Sequence, residues 1–398
     1  MKLARRITGL TGGGSDGWDV YYRAKDMLAA GHDITQLTIG EHDIGTDRAI
    51  LDAMHEATLA GHTGYSMFNG NLNLRERVAA RVTARTGLAT TPDNVLIVPG
   101  GQAGLFAAHH AACDEGDRAL FIDPYYATYP GTIRGVGARP VAIPARPDRM
   151  FQPDPTDIAA QADGASSLLI NSPNNPTGVI YTPDTLKAIA QLCRDHDMWL
   201  ISDEVYDTLV WEGAHLSPRT LPGMAERTLV IGSLSKSHAM TGSRIGWVIG
   251  PPEAIAHMGN LATHTTYGVA GFVQEAACFA LDQGAAFEAA IAAPFRRRRD
   301  LVLGMIEAQD VVRAIPADGA MFVMLDIRAT GLSGEAFADH LLDTHHVAVM
   351  PGESFGSAAG GHVRVALTVD DERLARALAH LLDLASDLAR DPARSPTD

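Results

Sequence analysis

Short apolar runs of strand length, separated by helical stretches with one apolar face, predict an α/β fold: a large domain on a mostly parallel sheet flanked by helices, plus a smaller α+β domain. Two further features support it. The polar and glycine clusters fall at the carboxyl ends of those apolar runs, where such sheets bind ligands. Beyond a long helical stretch near residue 300 the pattern changes to strands and helices of a second, smaller lobe. A chain of 398 residues, 46% hydrophobic, is long enough to give both lobes a core. The expected division is an N-terminal arm and part of the small domain over 1–46, the large domain over 47–290, and the small C-terminal domain over 291–398.

Residues 1–35 read as an arm with little periodicity. Its run Gly12-Gly13-Gly14-Ser15-Asp16-Gly17 matches GxGxxG. A dinucleotide site needs a strand before that motif, and Arg5-Arg6-Ile7-Thr8-Gly9 provides none. Helical periodicity over 47–60 and 73–85 leads to the strand Val95–Val98, after which Pro99-Gly100-Gly101-Gln102 opens a helix through Cys113. Strand, glycine turn and helix make an anion-binding geometry, because free N–H groups and the positive end of the helix dipole point at the bound group. The strand Ala119–Ile122 ends in Asp123-Pro124-Tyr125-Tyr126, a further strand lies near Pro140–Ile143, and Ser167–Ile170 ends in Asn171-Ser172-Pro173-Asn174-Asn175-Pro176-Thr177-Gly178.

A helix over 183–197 keeps Leu186, Ile189, Ala190 and Cys193 on one face and precedes Met198–Ile201, which ends in Ser202-Asp203-Glu204-Val205-Tyr206. Thr228–Gly232 then carries Ser233-Leu234-Ser235-Lys236 to a strand's end, and Arg244 opens another apolar run to Gly250. A helix is expected over 271–282. The helical stretch 285–309, interrupted by Pro294, contains Arg296–Arg299, which on a helix reads as a solvated or ion-paired face. Strands over 320–325, 347–350 and 361–367, with helices over 333–345 and 371–390, complete the small lobe.

Charge and cysteine usage narrow the function. Acidic residues outnumber basic ones 47 to 32, a net charge of −15, which argues against nucleic acid or an anionic membrane as partner. Cys113, Cys193 and Cys278 are isolated, without the spacing of a disulfide framework or a zinc site, and no metal is expected. The cysteines fit a reducing cytoplasm. A glycine run stands where a secretion signal would need its apolar core, and no apolar stretch is long enough to span a membrane.

The chemistry centres on Lys236. A lysine at the mouth of such a sheet is partly desolvated, so its pKa falls and its amine can form an imine with an aldehyde. Two serines and an arginine beside it suit a phosphate, since guanidinium makes a forked, always-charged contact and hydroxyls fill the remaining acceptor sites. An aldehyde and a phosphate on one small molecule describe pyridoxal phosphate. Ser233-Leu234-Ser235-Lys236 also matches the SxxK pattern of serine hydrolases, but the companion motifs are missing and that reading leaves Arg244 and Asp203 idle.

In order, Asn175-Pro176-Thr177-Gly178, Ser202-Asp203-Glu204-Val205-Tyr206, Ser233-Leu234-Ser235-Lys236 with Arg244, and then Arg364 resemble the fold-type-I pyridoxal-phosphate aminotransferases of class I/II, from about Leu37 to the C-terminal helix. More narrowly, Trp18–Ala24, Leu221–Ala225, Ser235–Met240 and Met321–Arg328 look like bacterial arginine:pyruvate transaminases. The resemblance implies catalytic roles for Lys236, Asp203 and Tyr206. Lys236 would hold pyridoxal 5'-phosphate and move the substrate's α-proton. Asp203 would pair with the pyridinium nitrogen, Asn175 and Tyr206 would hydrogen-bond the phenolic oxygen, and Tyr126 would stack on the ring. The phosphate would meet Gly101, Gln102, Ser233, Ser235 and Arg244, with Tyr65 reaching in from a neighbouring subunit of a homodimer. Arg364, Gly40 and Asn175 would bind the substrate, its α-carboxylate on the arginine.

The sequence departs from the family pattern in Gly40-Glu41-His42-Asp43-Ile44, in Ser243 where a tryptophan often stands, and in Gln102 where some dicarboxylate-specific relatives have lysine. An arginine donor would need a carboxylate partner, for which Asp16, Asp19 and Glu41 are candidates, along with Tyr267. Other reactions on the same fold, a β-lyase or a small-ring synthase, and aspartate or aromatic specificity are the alternatives.

Overall fold

The computed structural model describes residues 1–15 and 17–390. A single turn, α1 (Arg5–Thr8), and the helix α2 (Asp19–Ala29) precede β1 (Thr35–Leu37). The arm is therefore not aperiodic throughout: α2 buries Val20 and Ala24 in the small-lobe core. Two inward residues four apart, beside a glycine run, are too brief a pattern to mark a helix from sequence.

The large lobe begins with α3 (Arg48–Leu59), where the Asp47 carboxylate accepts from the Ala49 N–H and caps the first turn, and α4 (Leu72–Thr86). Then follow β2 (Val95–Val98), α5 (Gly101–Ala112), β3 (Arg118–Asp123), α6 (Tyr129–Gly135), β4 (Arg139–Pro144), α7 (Pro155–Ala162), β5 (Ala165–Asn171), α8 (Pro183–Asp195) and β6 (Trp199–Asp203). β7 (Thr228–Ser233), the turn α9 (Leu234–Ser237), β8 (Gly246–Ile249), α10 (Pro252–His264) and α11 (Gly271–Asp282) complete it. The sequence left α6, α7 and α10 unassigned. The first two are short and open with proline at or near the first turn, which reads as a turn signal. Arg244 does not open a strand as expected: its φ is +50°, in the left-handed region, and β8 starts two residues later.

The large sheet runs β2-β8-β7-β6-β5-β3-β4, and every neighbouring pair is parallel except those made by β8. Strand alternation feeds two cores. Leu120, Ile122, Leu168, Ile170 and Leu200 pack under α7 and α8, whereas Phe121, Leu169, Ile201, Leu229 and Ile231 pack under α5, α6 and α10. Burial on both faces is why these strands read as unbroken apolar runs. Each fully buried leucine or isoleucine stabilises by roughly 1.5–3 kcal/mol.

The chain crosses to the small lobe on α12 (Gly284–Glu307), followed by β9 (Arg313–Ala314), β10 (Phe322–Asp326), α13 (Gly334–His345), β11 (Val347–Pro351), β12 (His362–Ala366) and α14 (Asp371–Arg390). Pro294 does not interrupt α12. Proline forfeits one helical hydrogen bond, but Ile291, Ala292, Phe295 and Arg298 are buried on either side of it and keep the axis in place. The small sheet runs β1-β11-β12-β10-β9, with β1 parallel to β11 and the other pairs antiparallel. By pairing with β11, the N-terminal strand brings residues 38–43 against the small lobe, next to β12.

All three cysteines are buried and free. Among the described residues no single helix is long and apolar enough to cross a membrane, and no His, Cys, Asp or Glu cluster could hold a metal ion.

Leu381, 1% exposed, lies on the inner face of α14 with Leu374, Leu378 and Ala385. Leu381→Ala is expected to cost about 2–5 kcal/mol through lost burial and the cavity left behind. The measurement is the urea midpoint of the small lobe against wild type, and an unchanged midpoint would contradict the packing described.

Candidate active site

Because the strands around it point the same way, the large sheet delivers its carboxyl ends to one edge: Gly100 after β2, Asn171 at the end of β5, Asp203 at the end of β6, and Ser233 at the end of β7. Across that edge stand Gly40 and Glu41 after β1, Phe322 on β10 and Arg364 on β12. Together they enclose a cavity of about 440 Å³. Of the site residues read from the sequence, Gly40, Gly101, Gln102, Tyr126, Asn175, Asp203, Tyr206, Ser233, Ser235, Lys236, Arg244 and Arg364 all line it. Tyr65 does not. It is 90% exposed and packs edge-on to Tyr267, ring centroids 5.0 Å apart.

Lys236 sits on the turn α9, which Ser233 caps by accepting from the Ser235 N–H at 3.0 Å. Its Nζ donates to the Gly40 carbonyl. The side chain keeps partial access because it faces the cavity, yet the site is deep enough that burial pulls the amine down to about 8, against the opposing pull of Glu41. Gly40 has to be glycine: a Cβ there would lie 2.4 Å from Phe322 Cζ.

Asp203 is 4% exposed and meets no cation within ion-pair distance among the described residues. It accepts from the Tyr129 hydroxyl at 2.7 Å and from the Val205 N–H at 3.3 Å. Burial pushes its carboxyl up to about 6. Asn171 supports this end of the site, with Nδ2 donating to the Asp203 carbonyl at 2.9 Å and Oδ1 accepting from the Asn175 N–H at 2.7 Å. Asn175 Nδ2 donates to the Tyr206 hydroxyl at 3.5 Å, and burial raises that phenol.

At the other end the N-terminus of α5 opens on the cavity, its first N–H groups having no helical acceptor behind them. Ser233 Oγ and Ser235 Oγ lie 2.8 Å apart beside it. The Arg244 guanidinium donates to the carbonyls of Thr241 at 2.8 Å and Pro99 at 3.5 Å. A Cβ on Gly100, at φ +84°, would come within 2.3 Å of it. The Gln102 side chain is taken up on both sides, donating to Thr132 Oγ1 at 2.7 Å and accepting from Thr128 Oγ1 at 2.9 Å.

Arg364 is 1% exposed and sandwiched between Phe322 and Phe355, with both ring centroids 4.3 Å away. It donates to Asn175 Oδ1 at 2.8 Å and to the Thr38 carbonyl. No carboxylate is within ion-pair distance among the described residues, and burial pulls the guanidinium down to about 10.

These groups fit pyridoxal phosphate on features of this chain. A buried carboxylate without a cation suits a protonated ring nitrogen. A helix N-terminus with two serines and an arginine suits a phosphate, and an amine near pH 8 suits an aldehyde. Sequence reading missed Tyr129, Asn171, Phe322 and Phe355. Tyr129 lies on the unassigned α6, and the two phenylalanines reach the site only through tertiary packing. Of the candidates for a cationic side chain, Glu41 lines the cavity and accepts from Thr241 Oγ1 at 2.8 Å. Asp19, bonded to Ser15 Oγ at 2.5 Å, and Tyr267, packed on Phe68, do not line it, since their segments turn toward other contacts. Asp16 lies outside the described residues.

The family model for aminotransferase class I and II matches residues 32–381. The chain is 41% identical to an arginine–pyruvate transaminase, AruH, of Pseudomonas aeruginosa over 98% of this chain and 99% of that one. It is 36% identical to an aspartate/prephenate aminotransferase of Thermus thermophilus over 89% of this chain and 92% of that one. Among solved structures, aspartate aminotransferase from Thermus thermophilus with maleate superposes with a TM-score of 0.90 at 34% identity, over 96% of this chain and all of that one.

The raised carboxyl of Asp203 has a consequence for the cofactor-free protein. Between the ordinary 3.8 and about 6 the folded state keeps a proton that the unfolded chain has lost. The stability present below pH 4 is therefore lost as the pH rises through about 6, by roughly 3 kcal/mol. Urea midpoints between pH 4 and 6.5 are expected to show this fall, and Asp203→Asn to remove that part of it. An identical slope in the variant would reject the assignment.

Proposed function

The chain belongs to the class I and II aminotransferases, and we propose that it moves the amino group of an L-amino acid with a cationic side chain, such as arginine, to a 2-oxo acid such as pyruvate or 2-oxoglutarate, with pyridoxal phosphate held at Lys236. One observation carries the reading. A single cavity gathers an amine at about 8 and, among the described residues, a buried carboxylate with no ion-pair partner and two guanidinium groups with none. Each of these charges calls for a ligand group of the opposite kind.

When bound, pyridoxal phosphate supplies the carbonyl that takes up the nitrogen and a protonated ring that accepts an electron pair from the substrate's α-carbon. Lys236 Nζ, partly neutral near pH 8, would take the proton from the donor's α-carbon as general base and deliver it as general acid to the carbon that carried the cofactor's aldehyde. Asp203, positioned by Tyr129, would keep a proton on the ring nitrogen. Asn175 and Tyr206 would donate to the phenolic oxygen. Gly101, Gln102, Ser233, Ser235 and Arg244 would hold the phosphate, and the Tyr126 ring would stack on the cofactor. Arg364 takes the α-carboxylate through its fork, already oriented by the Phe322 and Phe355 faces. Donor and acceptor use the same site in turn, so the kinetics are ping-pong.

Three features support a cationic donor. Glu41 gives the cavity a carboxylate beyond Asp203, Trp18 at the start of α2 with Tyr21 and Tyr22 on it gives an aromatic wall, and Gln102 places no cation where a second substrate carboxylate would need one. The 41% identity with an arginine–pyruvate transaminase agrees. The same reading makes the enzyme a homodimer with shared sites. Tyr65, packed edge-on to Tyr267, is exposed, as are Leu59, Met67 and Leu72, and burial of this segment by a second copy would bring Tyr65 to the neighbour's phosphate.

The test is the absorbance spectrum of the purified enzyme during titration with arginine, lysine, alanine, glutamate and aspartate. Loss of the bound-aldehyde band with arginine at micromolar to low-millimolar levels is expected, and a band answering only to aspartate or glutamate would discard the cationic donor. Lys236→Ala is expected to lose at least about 10²–10⁴ in turnover, and near wild-type turnover would overturn the assignment. Glu41→Gln is expected to raise KM for arginine about tenfold while that for alanine changes by less than about twofold; equal changes would remove Glu41 from donor recognition.

A further inference from the structure

The arginine run on α12 divides by what its side chains reach. Arg296 donates to the carbonyls of Val210 and Trp211, Arg297 pairs with Asp371 at the surface, and Arg299 holds the Ala317 carbonyl and Glu212. Arg298 is different. It is 5% exposed, and its guanidinium joins three segments. Nη1 and Nη2 donate to the two carboxylate oxygens of Asp43 at 2.9 and 2.6 Å, Nη1 donates to the Leu367 carbonyl at 3.1 Å, and Nε donates to Asp371 at 3.2 Å.

Asp43 stands three residues after Gly40, and Leu367 three residues after Arg364. Phe295, one turn before Arg298 on the same helix, receives the buried His42 ring edge-on at 5.1 Å. The Gly40–Asp43 loop is therefore docked on α12 by an ion pair and a ring contact. The neighbouring links between loop and strand, Thr368 Oγ1 to the Ile39 carbonyl at 3.1 Å and Arg364 to the Thr38 carbonyl, lie before Gly40. Among the described residues, Arg298 alone holds the loop beyond it with a charged, two-pronged contact.

We propose that Arg298 is a positioning residue for transamination, fixing through Asp43 and Leu367 the separation between the Gly40 loop and Arg364, and so the width of the site that takes the α-carboxylate. The proposal rests on the assignment of Gly40 and Arg364 to that carboxylate. The donor and the 2-oxo acid present their carboxylates to the same two elements. A loosened loop therefore weakens both, and a cationic donor at least as much as the 2-oxo acid because Glu41 stands on the same loop, whereas the cofactor contacts at Asp203, Ser233 and Arg244 lie on other segments.

The experiment compares Arg298→Gln, Asp43→Asn and Arg364→Lys with wild type as holoenzymes. KM is measured for both substrates, together with kcat, cofactor affinity and the absorbance band. Arg298→Gln and Asp43→Asn are each expected to raise both KM values about tenfold or more, that of arginine at least as much as that of the 2-oxo acid, with kcat within about threefold and cofactor affinity unchanged. Unaltered KM values in these two variants, beside raised values in Arg364→Lys, would overturn the positioning role alone. So would a loss of cofactor affinity large enough to account for the change. Unaltered KM values in Arg364→Lys would overturn the carboxylate assignment beneath it. Should Arg298→Gln fail to fold, Asp43→Asn decides, since it removes the loop's half of the pair and leaves α12 intact.

Discussion

A parallel sheet puts the carboxyl ends of its strands on one edge, and the rest of this site follows from that constraint. β2, β5, β6 and β7 run in one direction, so the segments leaving them (Gly100-Gly101, Asn171–Asn175, Asp203-Glu204 and Ser233–Lys236) emerge side by side although more than a hundred residues separate the first from the last. The two faces of the sheet are filled by separate cores. With both faces packed, the edge is left as the place for polar groups, and its helix starts and turns supply N–H groups there.

The charges at that edge are held against their own solvation. With no ion-pair partner among the described residues, Asp203 and Arg364 each cost the folded protein free energy, visible as an acid pushed up to about 6 and a guanidinium pulled down to about 10. The surroundings offset part of this. Tyr129 and the Val205 N–H serve Asp203, while two aromatic faces, Asn175 and the Thr38 carbonyl serve Arg364. What remains uncompensated is the affinity available to a ligand of matching charge.

The second lobe turns this edge into an enclosure. β1 joins the small sheet through β11, so the segment that follows it, with Gly40 and Glu41, is carried by the lobe that also carries Arg364. The buried Arg298 then ties that segment to α12, the helix on which the chain passes between lobes. The proposed substrate contacts thus come from elements whose spacing is set by tertiary packing, while the groups around Lys236 and Asp203 come from one sheet.

The sequence by itself determined the layered α/β plan, the polar clusters at strand ends, and Lys236, Asp203, Asn175, Arg244 and Arg364 as members of one constellation. Strand alternation, helix periodicity and turn chemistry are local, and they survive in a linear reading. It could not determine that Tyr129 would serve Asp203, that Phe322 and Phe355 would enclose Arg364, that Glu41 rather than Asp19 would reach the cavity, or that α12 would run through Pro294. Nor could it separate Arg298 from its three neighbours in an arginine run. Each of these depends on contacts between residues far apart in the chain, whose geometry exists only once the two sheets and the helix between them have packed.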